Sequence, residues 1–357
     1  MEANAAAAQF RTGGAIADVR PYGGGNINDT FLVSMRDTPQ RYILQRLNPA
    51  VFPDPGLVMT NLRLVTDHMH KRLQEATETD GWQVAEVIPC RQGADYLIDA
   101  DGACWRMARF IDRTRVYETV TTPAEAHEVG RGLGRFHRLL SDLDANRLHD
   151  TLPGFHVTPQ YLTAYDTVSE TSRLTDASCR EVIETHRPTA MILEEAKARG
   201  LLPLRVMHGD PKINNFLFAE ESGRVVSMVD LDTVKPGLIQ YDLGDCLRSC
   251  CNPAGEEAPD LAAVTFDLGC CRAIIDGYLG ECASFLTDND LLFFYDAVRL
   301  ITFELGLRFY TDYLAGNRYF KARDEEHNLR RARVQFHLLA SIEAQGEEIR
   351  AMTGGLR

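Results

Sequence analysis

The chain has 357 residues, of which 45% are hydrophobic and 25% are charged, and its formal net charge is −13. A chain of this length and composition is expected to fold as a globular protein of two lobes, each with its own apolar interior. The negative charge argues against nucleic acid or an anionic membrane surface as a partner, and the lack of a signal peptide or of 18 consecutive apolar residues predicts a cytoplasmic protein.

Residues 1–112 have the pattern of an antiparallel β lobe with one helix. β-Branched, aromatic and aliphatic residues alternate with turn residues, and one stretch after Pro55 repeats apolar residues at helical spacing. Strand-like stretches occur at 17–22, 30–35, 41–47, 87–90, 96–98 and 104–111, and the helix is predicted at 57–72. We expect a five-stranded sheet from these stretches.

A glycine-rich turn, Gly23-Gly24-Gly25-Asn26, lies between two predicted strands and not between a strand and a helix. This position excludes a P-loop or a dinucleotide-binding turn, and it leaves a hairpin whose backbone amides could cover the phosphates of a nucleotide. The alternative is an ordinary glycine-rich hairpin without a ligand.

Residues 113–357 are predicted to form a larger, mainly helical lobe. Helical spacing of apolar residues occurs at 123–143, 159–172, 179–199, 261–285, 289–315 and 326–352. Three short strands, at 205–207, 216–218 and 225–229, flank two clusters of polar residues. The chain is therefore predicted to be an α+β protein whose chemically interesting residues lie on turns of the second lobe.

The first polar cluster, at 208–215, has the sequence HGDPKINN. Asp210, Lys212 and Asn215 have the spacing of the protein-kinase catalytic loop, in which the aspartate accepts the proton of the substrate hydroxyl and the asparagine holds Mg²⁺. Phosphoryl transfer needs a base facing the hydroxyl, a cation near the γ-phosphate and a neutral oxygen ligand for the metal. The alternative is a turn rich in Asn and Asp with no catalytic role.

The second polar cluster begins where the strand at 225–229 ends, with Asp230 and Asp232. Kinases place an aspartate at such a strand end to bind the Mg²⁺ that bridges the β- and γ-phosphates, and we assign this role to Asp230. Asp232 is expected to support that site or to contact substrate, and a solvated pair of turn carboxylates is the alternative. Asp242, in the segment YDLGD at 241–245, is expected to organise the catalytic loop.

These features, in this order, resemble the aminoglycoside phosphotransferase and choline kinase superfamily of small-molecule kinases. The signature is H-G-D-x-x-x-x-N at 208–215 followed by the acidic strand end. More narrowly, the chain resembles the bacterial N-acetylhexosamine 1-kinases from about Val19 to the last predicted helix. The segments that carry this resemblance are PYGGGNINDTFLV at 21–33, RYILQRLN at 41–48, VDLDTVKPG at 229–237, YDLGD at 241–245 and EHNL at 326–329.

The resemblance implies a bilobal, protein-kinase-like fold with an N-terminal lobe at 1–112 that covers the nucleotide and a C-terminal lobe at 113–357 that holds the catalytic loop. It also implies that the chain uses ATP and Mg²⁺ to phosphorylate the C1 hydroxyl of N-acetylglucosamine or N-acetylgalactosamine, two N-acetylhexosamines. The strand at 104–110 would lead into the hinge that contacts adenine. Neither the preferred epimer nor the oligomeric state is predicted by these patterns.

Carried over by position, the resemblance makes Asp210 the base and Asn215 and Asp230 the metal ligands. Asp210 and Asp230, together with Arg308 and Tyr319, would also contact the sugar. An arginine and a phenol can bind sugar hydroxyls or an acetamido oxygen, but packing at the surface explains Arg308 and Tyr319 equally well.

One departure from the protein-kinase pattern concerns the third strand, which lacks the usual lysine and has Gln45 and Arg46 in that region. The helix predicted at 57–72 also contains no glutamate to pair with such a lysine. Phosphate binding is therefore expected to depend on the glycine-rich turn, Mg²⁺ and either Arg46 or Lys212.

Two alternatives remain open from the sequence. The chain could be another kinase of the same superfamily acting on an amino alcohol, an aminoglycoside or a different sugar. It could also be a nucleotide-binding module without activity, since the lysine and glutamate pair is missing, although a binding module has no need of the base Asp210.

Overall fold

A computed structural model describes residues 1–23, 27–76 and 81–354 of the protein. Its N-terminal part is built on a six-stranded antiparallel sheet with the strand order β1-β2-β3-β6-β4, in which β5 also pairs with β6. The elements of this part are α1 (Ala3–Ala7), β1 (Ile16–Pro21), β2 (Asp29–Met35), β3 (Arg41–Leu47), α2 (Pro55–Glu75), β4 (Val87–Ile88), β5 (Tyr96–Ile98) and β6 (Cys104–Arg109).

Side chains alternate across this sheet, so its two faces have different surroundings. On the outer face, Tyr42 and Leu44 of β3 and Trp105 and Met107 of β6 are buried in a small apolar core that includes residues of α1. Gln45, which alternates with these residues, lies on the opposite face. That inner face is directed toward the second part of the molecule.

Helix α2 connects the two parts of the molecule through its packing. The side chain of Asp54 accepts hydrogen bonds from the first free amides of the helix, and Pro55 occupies the first turn, where no intrahelical donor is lost. Val65 and Met69 are buried in the large apolar core of the C-terminal part and not in the core of the sheet. The helix is therefore attached to the larger part by its apolar side chains.

A buried amide adds a polar link at the same junction. Asn61 of α2 donates from Nδ2 to the backbone oxygens of His149 (2.8 Å) and Val234 (3.0 Å), and its Oδ1 accepts from the His149 amide (2.8 Å). Each of these groups would be left unsatisfied in a buried position if the helix moved away. The position of α2 is thus fixed against the C-terminal part.

The C-terminal part is mainly helical and contains two small sheets, with strand orders β10-β9-β7 and β11-β8. Its elements are β7 (Thr114–Arg115), α3 (Pro123–Leu140), α4 (Thr158–Thr171), α5 (Ala177–His186), α6 (Ile192–Ala198), β8 (Arg205–Met207), β9 (Phe216–Ala219), β10 (Val225–Met228), β11 (Lys235–Gly237), α7 (Ile239–Cys250), α8 (Leu268–Cys282), α9 (Asp288–Leu292), α10 (Phe294–Leu314), α11 (His327–Ala344) and α12 (Gly346–Gly354). Two short 3₁₀ turns, Ile213–Asn215 and Leu231–Thr233, follow β8 and β10.

Helices α3 and α8 pack with almost no space between their backbones. A Cβ atom on Gly130 would clash with the backbone oxygen of Ile274, and one on Gly277 would clash with the backbone oxygen of His127. Glycine is required at both positions because backbone, not a flexible side chain, occupies the neighbouring space.

We therefore expect Gly130→Ala to lower the free energy of unfolding by about 1–3 kcal/mol, because the added methyl group must push the two helices apart. Urea denaturation followed by circular dichroism measures this change. Gly280→Ala is the matched control, since Gly280 lies on α8 with no atom near its Cβ position, and alanine there is expected to be neutral or slightly stabilising. Equal effects of the two substitutions would contradict the packing argument.

The predicted α+β, two-lobed fold with an antiparallel N-terminal sheet and a larger helical part is confirmed. The sheet has six strands where five were expected, because β4 and β5 both pair with β6 at different positions, and α1 adds a second helix to the one predicted. The division into lobes at residue 112 stays a prediction. Within the described ranges, no helix is both long and apolar enough to cross a membrane.

Candidate active site

The loop between β8 and β9 brings three predicted residues into contact. Lys212 Nζ lies 2.6 Å from Asp210 Oδ2, and Asn215 Nδ2 donates to the backbone oxygen of Asp210 at 2.7 Å and approaches its Oδ2 at 3.4 Å. Asp210 and Lys212 are each about one-third exposed, whereas Asn215 is buried. Burial disfavours the charge of Lys212, but Asp210 outweighs it and raises the pKa of the lysine. The loop therefore exposes a carboxylate and a cation to solvent, while the buried Asn215 holds its backbone in place.

His208 holds the start of this loop as a neutral imidazole. Its Nε2 lies 3.0 Å from the backbone oxygen of Val229, and its Nδ1 accepts from the Asp210 amide at 3.3 Å, a pairing that only the Nε2-protonated form satisfies. Burial is the main cause that lowers the pKa of His208. The ring thus joins the catalytic loop to the end of the strand that precedes Asp230.

Asp242 holds the backbone at the start of the same loop. This fully buried carboxylate accepts from the amides of His208 (2.6 Å) and Gly209 (2.7 Å), and its Oδ2 lies 2.8 Å from Nε2 of His137. Although burial raises the pKa of a carboxyl group, the contact with His137 and the amide donors lower the pKa of Asp242 overall. Its position agrees with the structural role expected for it.

Gly209 adopts a backbone conformation that only glycine accepts easily at this place. Its φ is +87°, and a Cβ atom would lie 2.8 Å from the backbone oxygen of Thr233. The backbone oxygen of Gly209 contacts Nε2 of the buried His156 (3.0 Å), whose Nδ1 lies 3.0 Å from Glu304. The loop is therefore clamped from two sides, and Asp210 follows the clamped residue directly.

Asp230 occupies the strand end in a strained backbone conformation, with φ at +64°. Aspartate tolerates this left-handed region better than most residues, and such strain is common at functional sites. The side chain is exposed, although neighbouring protein atoms partly desolvate its carboxyl group. Desolvation there, together with the charges of Asp232 and Asp210, raises the pKa of Asp230 to about 7.

Asp232 is buried and receives its partners from the N-terminal part. Asn28 Nδ2 donates to its Oδ2 at 2.6 Å, and Arg106 of β6 forms an ion pair with its Oδ1. Arg106 also donates from Nε and Nη2 to Oε1 of Gln45, at 3.0 and 2.8 Å. These contacts join the inner face of the sheet to the acidic strand end.

The carboxylates and the buried amide suit a hard divalent cation. Asn215 and Asp230 offer oxygen ligands of the kind that Mg²⁺ prefers, and a cation between them would offset the negative charges that crowd Asp230. Among the residues that the structure describes, no three His, Cys, Asp or Glu side chains form a complete metal site. A metal held here would therefore take further ligands from a bound phosphate or from water.

The residues predicted to bind the nucleotide differ in where the structure places them. Gly23 has φ at +72°, as expected for a glycine turn, while Gly24, Gly25 and Asn26 lie outside the described residues. Arg46 is on the outer face of the sheet, where its exposed side chain pairs with Asp29. The structure does not bring Arg46 to the other candidate residues.

Arg308 lies in a cluster of aromatic rings at the other side of the catalytic loop. Its guanidinium carbon is 4.9 Å from the ring centre of Tyr161 and 5.5 Å from those of Phe155 and Phe320. Its Nη1 is 3.9 Å from Oε1 of Glu304. Burial raises the pKa of Tyr161 to about 12, so that its hydroxyl remains a hydrogen-bond donor. The cluster provides a cation and a phenol beside apolar surface.

Tyr319 belongs to the loop that follows α10 and is 65% exposed. The Asp312 carboxylate accepts from the amides of Arg318 (2.8 Å), Tyr319 (2.8 Å) and Phe320 (2.9 Å). Asn328 of the EHNL segment donates to the same carboxylate at 3.0 Å. The backbone of this loop is therefore held firmly while the phenol of Tyr319 projects into solvent.

Asp245, the second acid of the YDLGD segment, was not among the predicted site residues. It is buried, and Arg248 Nε donates to its Oδ1 at 2.9 Å. After the larger effects of Asp210 and Glu304, its negative charge also contributes to the raised pKa values of Lys212, His156 and Arg308, so Asp245 lies near both the catalytic loop and the aromatic cluster. The sequence could have indicated Asp245, because it follows Asp242 by three residues and so lies one turn further along the same face of α7.

Comparisons with known proteins identify the family and the fold of the chain. The model of a family described as the phosphotransferase enzyme family matches residues 18–274. The structure of a microcompartment-associated aminopropanol kinase is similar with a TM-score of 0.66, 17% identity and coverage of 99% of this chain and 98% of that one. An aminoglycoside phosphotransferase from Alicyclobacillus acidocaldarius is similar with a TM-score of 0.62, 15% identity and coverage of 98% and 97%. A choline kinase from Cryptosporidium parvum is similar with a TM-score of 0.61, 14% identity and coverage of 93% and 90%. At such identities the likeness to these structures shows the fold.

Proposed function

Because the chain belongs to the phosphotransferase enzyme family, we propose that it is an ATP-dependent kinase that phosphorylates the C1 hydroxyl of N-acetylglucosamine or N-acetylgalactosamine. The observation that carries this proposal is the arrangement of Asp210, Lys212 and Asn215 between an acidic strand end and an arginine in an aromatic cluster. The three loop residues and the acidic strand end supply the groups for phosphoryl transfer. The arginine in the aromatic cluster suits a polar, uncharged acceptor.

In the proposed reaction, Asp210 orients the C1 hydroxyl and accepts its proton. The hydroxyl oxygen forms a bond to the γ-phosphorus of ATP while the bond from that phosphorus to the bridging oxygen of ADP breaks. Lys212, 2.6 Å from Asp210, places a positive charge beside the transferred group. Asn215 and Asp230 would hold Mg²⁺, which when bound supplies charge neutralisation on the phosphates.

The choice of a sugar over a cationic alcohol is supported by the charge of the acceptor side. Two of the proteins with a similar fold are named as kinases of aminopropanol and of choline. Quaternary ammonium groups are typically bound by faces of aromatic rings, but here the guanidinium of Arg308 already contacts three such rings. A second cation at this place would be repelled, whereas the arginine can donate to hydroxyl and acetamido oxygens.

Asp245 complements Arg308 in this proposal. One of its oxygens is held by Arg248, and its charge is felt by both Lys212 and Arg308. A carboxylate at this place can accept hydrogen bonds from sugar hydroxyls, which are donors as well as acceptors. Donor and acceptor groups of the protein would then both be used by a neutral sugar.

The experiment that tests the proposal is an acceptor panel assayed by ADP release with ATP and Mg²⁺. N-Acetylglucosamine or N-acetylgalactosamine is expected to give the highest kcat/KM, and ³¹P NMR of the product is expected to show phosphate on C1 and not on C6. Phosphorylation of choline, ethanolamine or aminopropanol with no turnover of either N-acetylhexosamine would overturn the choice of acceptor. Binding of ATP with no transfer to any acceptor would favour a nucleotide-binding module.

The variant Arg308→Gln links the panel to the structure. It removes the cation from the aromatic cluster but keeps a hydrogen-bonding side chain of similar length. We expect KM for the sugar to rise about tenfold or more, since a charged hydrogen bond is worth about 1.5–3 kcal/mol, while KM for ATP stays within twofold. An equal rise in both KM values would instead indicate a general disturbance of the fold.

A further inference from the structure

Arg106 is an arginine in the middle of a strand whose neighbours are buried and apolar. It is flanked by Trp105 and Met107, and its side chain is only 7% exposed. Arginine is rarely so enclosed unless its charge is paired and its N–H groups are used. No role was assigned to this residue from the sequence.

The register of the sheet places Arg106 beside the position where protein kinases carry their lysine. Gln45 of β3 pairs directly with Arg106 of β6, so the two side chains emerge on the same, inner face. Gln45 Oε1 accepts from both Nε and Nη2 of the arginine. The third strand thus lacks a cation, but its partner strand provides one at the same level of the sheet.

The opposite side of the guanidinium is held by the acidic strand end. Nη1 forms an ion pair with Asp232, whose other oxygen accepts from Asn28 just beyond the glycine-rich turn. Asp232 follows the proposed metal ligand Asp230 by two residues. The arginine therefore lies where the sheet, Asn28 before β2 and the residue next but one to the proposed metal ligand Asp230 meet.

A guanidinium has five N–H donors in a rigid fork, and three of them are used by Gln45 and Asp232. One donor each on Nη1 and Nη2 is left by this count. Two neighbouring donors of a fixed fork match the oxygens of a phosphate, and their strength increases in a site that excludes water.

We propose that Arg106 binds the phosphates of the nucleotide in place of the missing third-strand lysine, and that Gln45 and Asp232 are positioning residues that hold its guanidinium. This inference rests on the proposed use of ATP. It assigns the role of the usual lysine and glutamate pair to an arginine on β6 and to an aspartate two residues after Asp230, the proposed metal ligand.

Titration calorimetry of Arg106→Gln with ATP, ADP and adenosine, in the presence of Mg²⁺ and without acceptor, tests the proposal. We expect ATP and ADP to bind about 10–100-fold more weakly than to the wild type, as for the loss of charge-assisted hydrogen bonds, and adenosine to bind within twofold. A residue that only supports the fold would weaken all three ligands alike, and that result, or unchanged binding of ATP, would overturn the proposal.

Arg109→Gln is the matched control. It makes the same substitution three residues further along β6, where the arginine is half-exposed on the outer face and pairs with Glu86. Nucleotide binding by this variant is expected to equal that of the wild type. If Arg106→Gln does not fold, Arg106→Lys is the variant to measure, because it retains a positive charge without the guanidinium fork. Its binding of ATP is again expected to be weakened more than its binding of adenosine, but by a smaller factor.

A double-mutant cycle tests the part assigned to Asp232. If Asp232 acts by holding Arg106, Asp232→Asn and the double variant with Arg106→Gln should weaken ATP no more than Arg106→Gln alone. Additive losses would separate the two residues and overturn the positioning role. Wild-type protein that does not bind ATP at all would instead contradict the proposed function, so the two failures are distinguishable.

Discussion

Asp210→Asn is expected to lower kcat by about 10²–10⁴-fold, the range that a positioned general base contributes. The amide has nearly the same shape as the carboxylate and can still accept from Lys212, and the contact from Asn215 is mainly to the backbone of residue 210. The loop should therefore keep its structure while the group that takes the proton is lost.

Steady-state kinetics and calorimetry together measure this effect. The dissociation constant for ATP and the melting temperature should remain close to those of the wild type, which separates a catalytic from a structural loss. Asp276→Asn, an exposed position on α8, serves as the control for the same chemical change. A kcat within threefold of the wild type would remove Asp210 from the role of base.

Asp242→Ala is expected to lower the free energy of unfolding by about 3–5 kcal/mol, because each buried donor left without its acceptor costs about 1–3 kcal/mol. The substitution leaves the amides of His208 and Gly209 without their acceptor and removes the partner of His137 Nε2. Because those amides belong to the catalytic loop, kcat should fall as well.

Urea denaturation at several pH values tests both the size and the origin of this effect. The folded-state pKa of Asp242 is lowered relative to the unfolded chain, so its stabilisation is complete above the unfolded pKa of about 4 and is lost as the pH falls through the folded value. The difference between wild type and Asp242→Ala should therefore shrink below about pH 4. A loss under 1 kcal/mol at pH 7, similar to that of Asp276→Asn, would show that the carboxylate is dispensable.

The contacts of the catalytic loop were predictable because they are local. Asp210, Lys212 and Asn215 lie within six residues between two short strands, so the turn itself limits where their side chains can go. The spacing of polar residues between apolar ones therefore indicated their proximity, and in the structure Lys212 and Asn215 both contact Asp210. Their chemical roles stay predictions that the kinetic experiments decide.

The position of Arg106, the residue proposed to bind phosphate, was not predictable in the same way. Arg46 and Gln45 are neighbours in sequence, but alternation along β3 sends them to opposite faces of the sheet. Which face meets the cleft depends on the pairing of β3 with β6, some 60 residues away, and that pairing brings Arg106 to Gln45. Sequence spacing alone carries no information on this long-range register.

The acceptor side required tertiary packing as well. Arg308 was identified from the sequence, but its aromatic neighbours Phe155 and Tyr161 lie near the start of α4, about 150 residues earlier. The sequence did not link Asp245 to this site, because its position depends on the packing of α7 against the catalytic loop and α10. Tyr319 remains an exposed phenol whose contact with a sugar is still a prediction.

The attachment of α2 through Asn61 bears on how such an enzyme would be controlled. In protein kinases the corresponding pair of lysine and helix glutamate is assembled or broken as the helix moves, and this movement sets activity. Here three hydrogen bonds from one buried amide tie α2 to the backbone at His149 and Val234. We therefore expect α2 to keep this position with and without ligands, so that its movement would not control activity. The rate would then follow the concentrations of nucleotide and acceptor.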